Sequence, residues 1–204
     1  MFVTNTAASG LDEDYLPIGH QANLMTGKQS FAEKSPVCLG LPDEKGTYIL
    51  IALVSQMKRL EIGRLGTYDI IPGFYAYVGS AFGPGGLRAR IHHHLESVAE
   101  PHWHMDYLLG HAEPVEVWYA LSGRKLEQDL AELLARASAF REPIRRFGSS
   151  DYRRSRTSHL FHSKRRPSFH WFQHQMSERF GGADIAVEQY QIGPAKPAND
   201  QVSP

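Results

Sequence analysis

The sequence predicts a small α+β domain, a short sheet flanked by helices. Three observations predict it. The runs TYILIALV (47–54), FYAYVGS (74–80) and VEVWYA (115–120) have the length and the β-branched or aromatic content of core strands. The segment LEQDLAELLARA (126–137) sets Leu126, Leu130, Leu133 and Leu134 along one helical face. A break at Gly83, Pro84, Gly85 and Gly86 separates the second strand from a further helix.

Residues 1–44 are rich in Gly, Pro, Ser, Asn and acids without a sustained period, and read as a partly ordered N-terminal extension, mostly tail with a short extended piece packed on the core. The core domain is expected over 45–165. The first strand opens at Gly46 and is apolar enough to be central. RLEIGRLGTYDI (59–70) reads as short strands turning at Gly66, and Pro72-Gly73 is a second turn. In the 74–80 strand, Tyr75 and Tyr77 fall on one face by the two-residue period. The helix from Leu87 buries Leu87, Ile91 and Leu95. Trp103, Tyr107, Leu108 and Leu109 anchor a short helix over 103–110. Residues 166–204 read as an extension ending in a polar, proline-containing tail from about residue 182.

The chain has 204 residues, 42% of them hydrophobic, which suits one domain with a real core. Its longest apolar run is far short of a membrane span. The opening MFVTNTAASGLDEDY lacks the basic-then-apolar order of a secretory signal. The single cysteine, Cys38, excludes an internal disulfide and a multi-cysteine zinc site. A cytoplasmic protein is the expectation. The formal net charge is zero, but residues 141–170 hold nine Lys or Arg against two acids. Such a patch suits a polyanion, and equally a solvated loop.

Arg90 and His94 lie one turn apart and share a helix face; Arg88 and His92 form a second pair turned about 160° away. Only one pair can face a pocket. An arginine fork suits phosphate, and a histidine can move a proton near neutrality. Tyr48 and Tyr77 stand on two strands expected to pair. A tyrosine there orients a water, acts as a base if nearby positive charge draws off its proton, or simply packs. Glu127 opens the leucine helix; facing the Arg90 site it would be a hard oxygen ligand for magnesium, and otherwise it points to water. His102, Trp103, His104 and Asp106 lie within five residues. Lacking further ligands nearby, they are read as capping and site lining, not as a zinc centre. Ser149, Ser150 and neighbouring amides could form an anion nest, and Arg153, Arg154 and Arg156, or Lys164, Arg165 and Arg166, could track a phosphate backbone. Ser158 and His159 lack a nucleophile elbow and an acid partner, which disfavours a serine-hydrolase reading.

Taken in order, these blocks resemble the GIY-YIG nuclease superfamily, and within it the branch called domain of unknown function 123 (DUF123). The first motif stands as Gly46-Thr47-Tyr48 and the second as Tyr77-Val78-Gly79. The family arginine matches Arg90, the histidine one turn on matches His94, and the metal-binding glutamate matches Glu127. YVGSA (77–81), HWHMDYLL (102–109) and FGSSD…SHLF (147–161) are similar to signatures of the branch. The likeness covers about residues 46–162. Two features depart from it: the spacing between the tyrosine motifs is longer than in most of the superfamily, and Tyr152 and Arg154 stand where branch members often have cysteines.

The resemblance implies a three-stranded antiparallel sheet flanked by helices, and phosphodiester hydrolysis with one divalent ion, Mg²⁺ or Mn²⁺, held by Glu127. It gives Tyr48 the activation of water, Tyr77 an orienting role, Arg90 the charge on the phosphoryl oxygens, and His94 phosphate contact or proton transfer. Gly79, Ser80, His102, His104, Asp106, Ser149 and Ser150 are the expected lining. Arg88, Arg153, Arg154 and Arg156 are the expected phosphate contacts. The expected partner is DNA, branched, flapped or damaged, recognised by structure over base sequence, with no membrane. The alternatives are a nucleic-acid-binding module that has lost catalysis, and a structural or protein-interaction domain.

Overall fold

The computed structural model describes residues 40–96, 101–148, 157–181 and 185–192. Its centre is β1 (Gly46–Val54), flanked by β4 (Gly73–Ala81) and β5 (Glu113–Leu121), both antiparallel to it. β6 (Leu160–Ser163) adds to the outer edge of β4, and β7 (Val187–Gln191) to the outer edge of β5. The sheet order is therefore β6-β4-β1-β5-β7. A small hairpin, β2 (Lys58–Glu61) and β3 (Thr67–Ile70), joins β1 to β4 and turns through Gly63–Leu65 and Gly66.

Helices cover both faces. α1 (Gly86–Glu96) and α2 (His104–Leu109) pack Leu87, Ile91, Met105 and Leu108 against Tyr48, Leu50, Ala52 and Tyr75. On the other face α3 (Glu127–Arg136) and α4 (Phe169–Phe180) pack Leu130, Leu134, Phe172 and Met176 against Ile49, Ile51, Ala76, Val78 and Trp118. This explains why β1 reads as a continuous apolar run instead of an alternating one: both of its faces are buried.

The α+β class holds, but the sheet has five strands where three were expected. The two extra strands are short edge additions from the C-terminal part of the chain. Residues 187–191, expected as tail, form β7 because Tyr119 donates to Glu188 at 2.6 Å and Gln191 donates to the buried Glu116 carboxylate at 2.9 Å. α4, expected in an extension, belongs to the core, with Phe172 fully buried. Residues 40–44 pack on the domain. Leu41 is fully buried, and the carbonyls of Pro42 and Glu44 accept the opening amides of α1 from Arg88 and Leu87, both at 3.0 Å. Those amides have no partner within the helix, so the entering chain caps it. Gly86 makes this possible: its φ is +56°, and a Cβ would run into the Asp43 carbonyl. Among the described residues no helix is long and apolar enough to cross a membrane. Residues 1–39, with Cys38, lie outside the described residues.

Candidate active site

The β1–β4 register sets Tyr48 opposite Gly79, and Leu50 opposite Tyr77. Period-two alternation then sends both tyrosines to the α1 side of the sheet. Their ring centroids are 6.4 Å apart. The Tyr48 ring lies across Gly79, where a Cβ would overlap its hydroxyl and ring carbons. The glycine of the YVG block is thus the space the first tyrosine occupies. Phe147 packs edge-on against Tyr77 at 6.0 Å, and Gly148 (φ +71°) sits between Tyr77 and His159, where a Cβ would come within 3.1 Å of each.

α1 presents Arg90 and His94 to this pair of tyrosines. The competing pair turns away: His92 meets Glu96 at 3.1 Å on the exposed side. Arg88, expected on phosphate, donates instead to the Leu41 carbonyl at 2.8 Å and to Asp43 at 2.9 Å. It ties the entering chain to the helix. His94 is 1% exposed and lies between Tyr48 and Asp106. The Tyr48 hydroxyl is 2.7 Å from Nε2, and Asp106 Oδ1 is 2.9 Å from Nδ1. Asp106 is the third residue of α2, and its Oδ2 accepts the amides of Trp103 at 2.8 Å and His102 at 3.0 Å. That is the reach of a capping acid. Beside it, the Arg90 guanidinium sits 4.5 Å over the Trp103 ring.

Burial governs the titration of these groups. It lowers the pKa of His94, overriding the opposing pull of Asp106, so the ring is held neutral. Burial opposes ionisation of Asp106, but the bonds from His94, Trp103 and His102 outweigh it and keep the carboxyl below its usual range. Burial raises Tyr48 well above an ordinary phenol and raises Tyr77 strongly, with Glu127 adding to both. Arg90 pulls the other way on both and loses. The Arg90 charge alone therefore does not offset burial enough to draw off the Tyr48 proton, and the Tyr48 hydroxyl faces His94 Nε2 as a proton acceptor.

Glu127 is the first residue of α3, a helix of the opposite face, yet its charge is felt by Tyr48, Tyr77 and His159. The reason is where α3 begins. Thr47, next to Tyr48 but pointing through the other face, accepts the Leu126 amide on its Oγ1 at 2.9 Å. The helix is thereby fixed to the β1 end that carries Tyr48. Among the described residues no group of three or more His, Cys, Asp and Glu is arranged to hold a metal.

A family model for a domain of unknown function, DUF123, matches residues 47–182, an interval that takes in all of these side chains. The chain belongs to the DUF123 family. No curated protein and no solved structure gave a significant match. The DUF123 match also runs past residue 165, the expected domain end, and includes α4.

Of the residues expected in this DUF123 site, Tyr48, Tyr77, Gly79, Arg90, His94 and Asp106 are brought together, with Glu127 at the nearby helix start. His104 supports the wall: Gly148 donates to its Nδ1 at 3.3 Å and its ring packs on Phe147. His102 contributes its amide, while its side chain is exposed. Ser80 is a correction: it stands opposite Thr47 and faces the other side of the sheet from the tyrosines. Arg165 and Arg166 lie away from the tyrosines. They line a 540 Å³ groove with Arg136 and Trp171 between α3 and α4, and Arg166 pairs with Glu116 at 3.1 Å. Ser149, Ser150, Arg153, Arg154 and Arg156 lie outside the described residues. Sequence reasoning named Thr47 only within the first motif and His159 only against a serine hydrolase; it missed the Thr47 hydroxyl's contact 79 residues away and the burial of His159, which is 2% exposed.

Proposed function

We propose that this DUF123 protein is a divalent-metal-dependent DNA endonuclease that hydrolyses a phosphodiester bond by a GIY-YIG-type mechanism, directed by DNA structure. The observation that carries the reading is the convergence of Tyr48, Tyr77, Arg90 and His94 at one end of β1 and β4, within the field of Glu127. These residues come from three separate blocks of sequence, and packing alone does not require an arginine, a buried histidine and two tyrosines to meet.

The chemistry follows from the atoms present. A water beside Tyr48 gives its proton to the phenolic oxygen as the phenol passes its own to His94 Nε2. The resulting hydroxide attacks phosphorus. Arg90 faces the phosphoryl oxygens and stabilises the charge that grows there, which lowers the barrier more than it tightens ground-state binding. Tyr77 orients the water by its hydroxyl. His94 then returns its proton to the Tyr48 oxygen as the phenol gives one up toward the cleft, and the departing sugar oxygen takes one up.

One carboxylate suits a magnesium or manganese ion that keeps its waters and shares the substrate's phosphate oxygens, and does not suit an ion caged by protein. Glu127 is the residue that would hold it, and when bound the ion would polarise the phosphoryl group.

The test is cleavage of branched, flapped, single-stranded and duplex DNA with and without Mg²⁺ or Mn²⁺, by the parent and by Glu127→Ala and Arg90→Ala. Metal-dependent cutting by the parent, lost in both variants, supports the reading. Salt-sensitive binding without cutting would identify a nucleic-acid-binding module instead. Neither activity would leave a structural or interaction domain.

A further inference from the structure

The HWHMD segment has no role in the reaction as written, yet it delivers the most deeply buried acid near the site. Asp106 is fully buried, with both oxygens engaged. Oδ2 receives two backbone amides, from Trp103 at 2.8 Å and His102 at 3.0 Å. An amide can only donate, so that oxygen must accept. These bonds keep the carboxyl ionised, so Oδ1, 2.9 Å from His94 Nδ1, is an acceptor too, which requires the hydrogen of a neutral imidazole to sit on Nδ1. The lone pair then lies on Nε2, aimed at the Tyr48 hydroxyl 2.7 Å away.

We infer that Asp106 is a positioning residue that fixes His94 in the Nδ1–H tautomer, so that Nε2 is the acceptor for the Tyr48 proton, making Tyr48, His94 and Asp106 one proton relay. The proton moves from Tyr48 Oη to Nε2, the imidazolium so formed is stabilised by the Asp106 carboxylate, and Asp106 itself is never protonated. The groups facing His94 are Tyr48 from β1, Tyr77 from β4, Arg90 and His93 from α1, and Asp106 with Trp103 from α2. Among the described residues, Asp106 is the acid hydrogen-bonded to the ring. The same segment seats Trp103 under Arg90, so one short helix start orients both functional residues of α1.

The relay's catalytic use rests on the nuclease reading; the tautomer does not. The informative variant is Asp106→Asn. The two amides still demand an acceptor, so the asparagine oxygen must face them and its NH₂ must face His94. Nδ1 then has to accept, and the hydrogen moves to Nε2. The experiment is long-range ¹H–¹⁵N NMR of the His94 ring in the full chain, near neutral pH and without substrate. The expected result is an Nδ1–H ring in the parent and in Tyr48→Phe, and an Nε2–H ring in Asp106→Asn. A parent ring carrying its hydrogen on Nε2 overturns the proposal even if the variant does not fold, and so does a variant that keeps the Nδ1–H form.

In the cleavage assay, Asp106→Asn should lower kcat by about 10²–10⁴-fold with KM nearly unchanged. A switched tautomer with undiminished kcat would refute the relay while leaving the orientation of the ring established. If the parent cuts no substrate, the nuclease reading fails by itself, and the ring spectra still decide whether Asp106 sets His94.

Discussion

Replacing Thr47 by Val tests how the sheet holds the carboxylate helix. The side chain is fully buried, and its Oγ1 accepts the Leu126 amide at 2.9 Å. Leu126 is the N-cap of α3 and offers no side-chain cap of its own. Valine keeps the shape and removes the acceptor, leaving a buried N–H with no partner at a helix start. Such a loss costs about 1–3 kcal/mol, partly offset by the gain of an apolar methyl. Taking the upper end of that range less about 0.8 kcal/mol for the methyl leaves about 2 kcal/mol, and with a urea slope of roughly 2 kcal/mol/M the unfolding midpoint should fall by about 1 M. Thr47→Ser keeps the oxygen and loses one methyl, worth about 0.8 kcal/mol, so its midpoint should fall less than half as far. The assay is urea unfolding followed by far-UV circular dichroism. A Thr47→Val midpoint equal to the parent's, or a serine variant as destabilised as the valine, would refute the reasoning. Cleavage should suffer more in the valine variant as well, because the Glu127 end of α3 is freed.

Gly79→Ala places a methyl where the Tyr48 ring lies, so it should cost about 1–3 kcal/mol in unfolding and displace Tyr48 from His94, which the His94 ring signals would register. Acid should destabilise the fold before the carboxylates titrate. His94 has its pKa lowered below 6.5 by burial, so the unfolded chain takes up its proton first and stability falls as pH drops below about 6.5. The depressed Asp106 acts in the same direction at lower pH, its contribution lost as pH falls through its folded pKa. Urea midpoints from pH 5 to 8 should therefore decline toward acid, less steeply in His94→Gln; a flat parent profile would contradict the neutral buried ring. Arg90→Lys keeps the charge but removes the planar fork and its stacking on Trp103, so cleavage should drop by about 10²-fold with DNA binding little changed.

How much was legible follows from where the signal resides. β1, β4, β5 and α3 announce themselves because their burial is local and repeated: runs such as TYILIALV and the leucine stripe need no knowledge of partners. β6 is four residues, Leu160–Ser163, inside a stretch that reads as basic and polar, and it is a strand only because β4 offers it an edge. β7 is mostly polar on both faces, and its acids and amides gain meaning only from Tyr119 and Glu116 on β5. α4 carried local marks that went unused: Ser168 caps its start, Gly181 ends it in the left-handed region, and Phe169, Phe172 and Met176 follow a helical spacing. In the site, the tyrosines, Arg90 and His94 stood out through residue type and spacing. The choice of Arg90 and His94 over Arg88 and His92 came from the resemblance, and contacts made elsewhere agree with it. The roles of Asp106 and Thr47 depend on distances that no periodicity encodes.

Thr47 and Tyr48 are consecutive residues that point through opposite sides of β1, one gripping α3 and the other reaching His94. The sheet is therefore no partition between its two helical layers. A single peptide unit couples them, so a tilt of the rear helix is carried to the phenol without any side-chain pathway around the edge. Slippage of this strand by one residue would exchange the two attachments and undo both at once. Mutational drift in the rear layer is accordingly felt at the front.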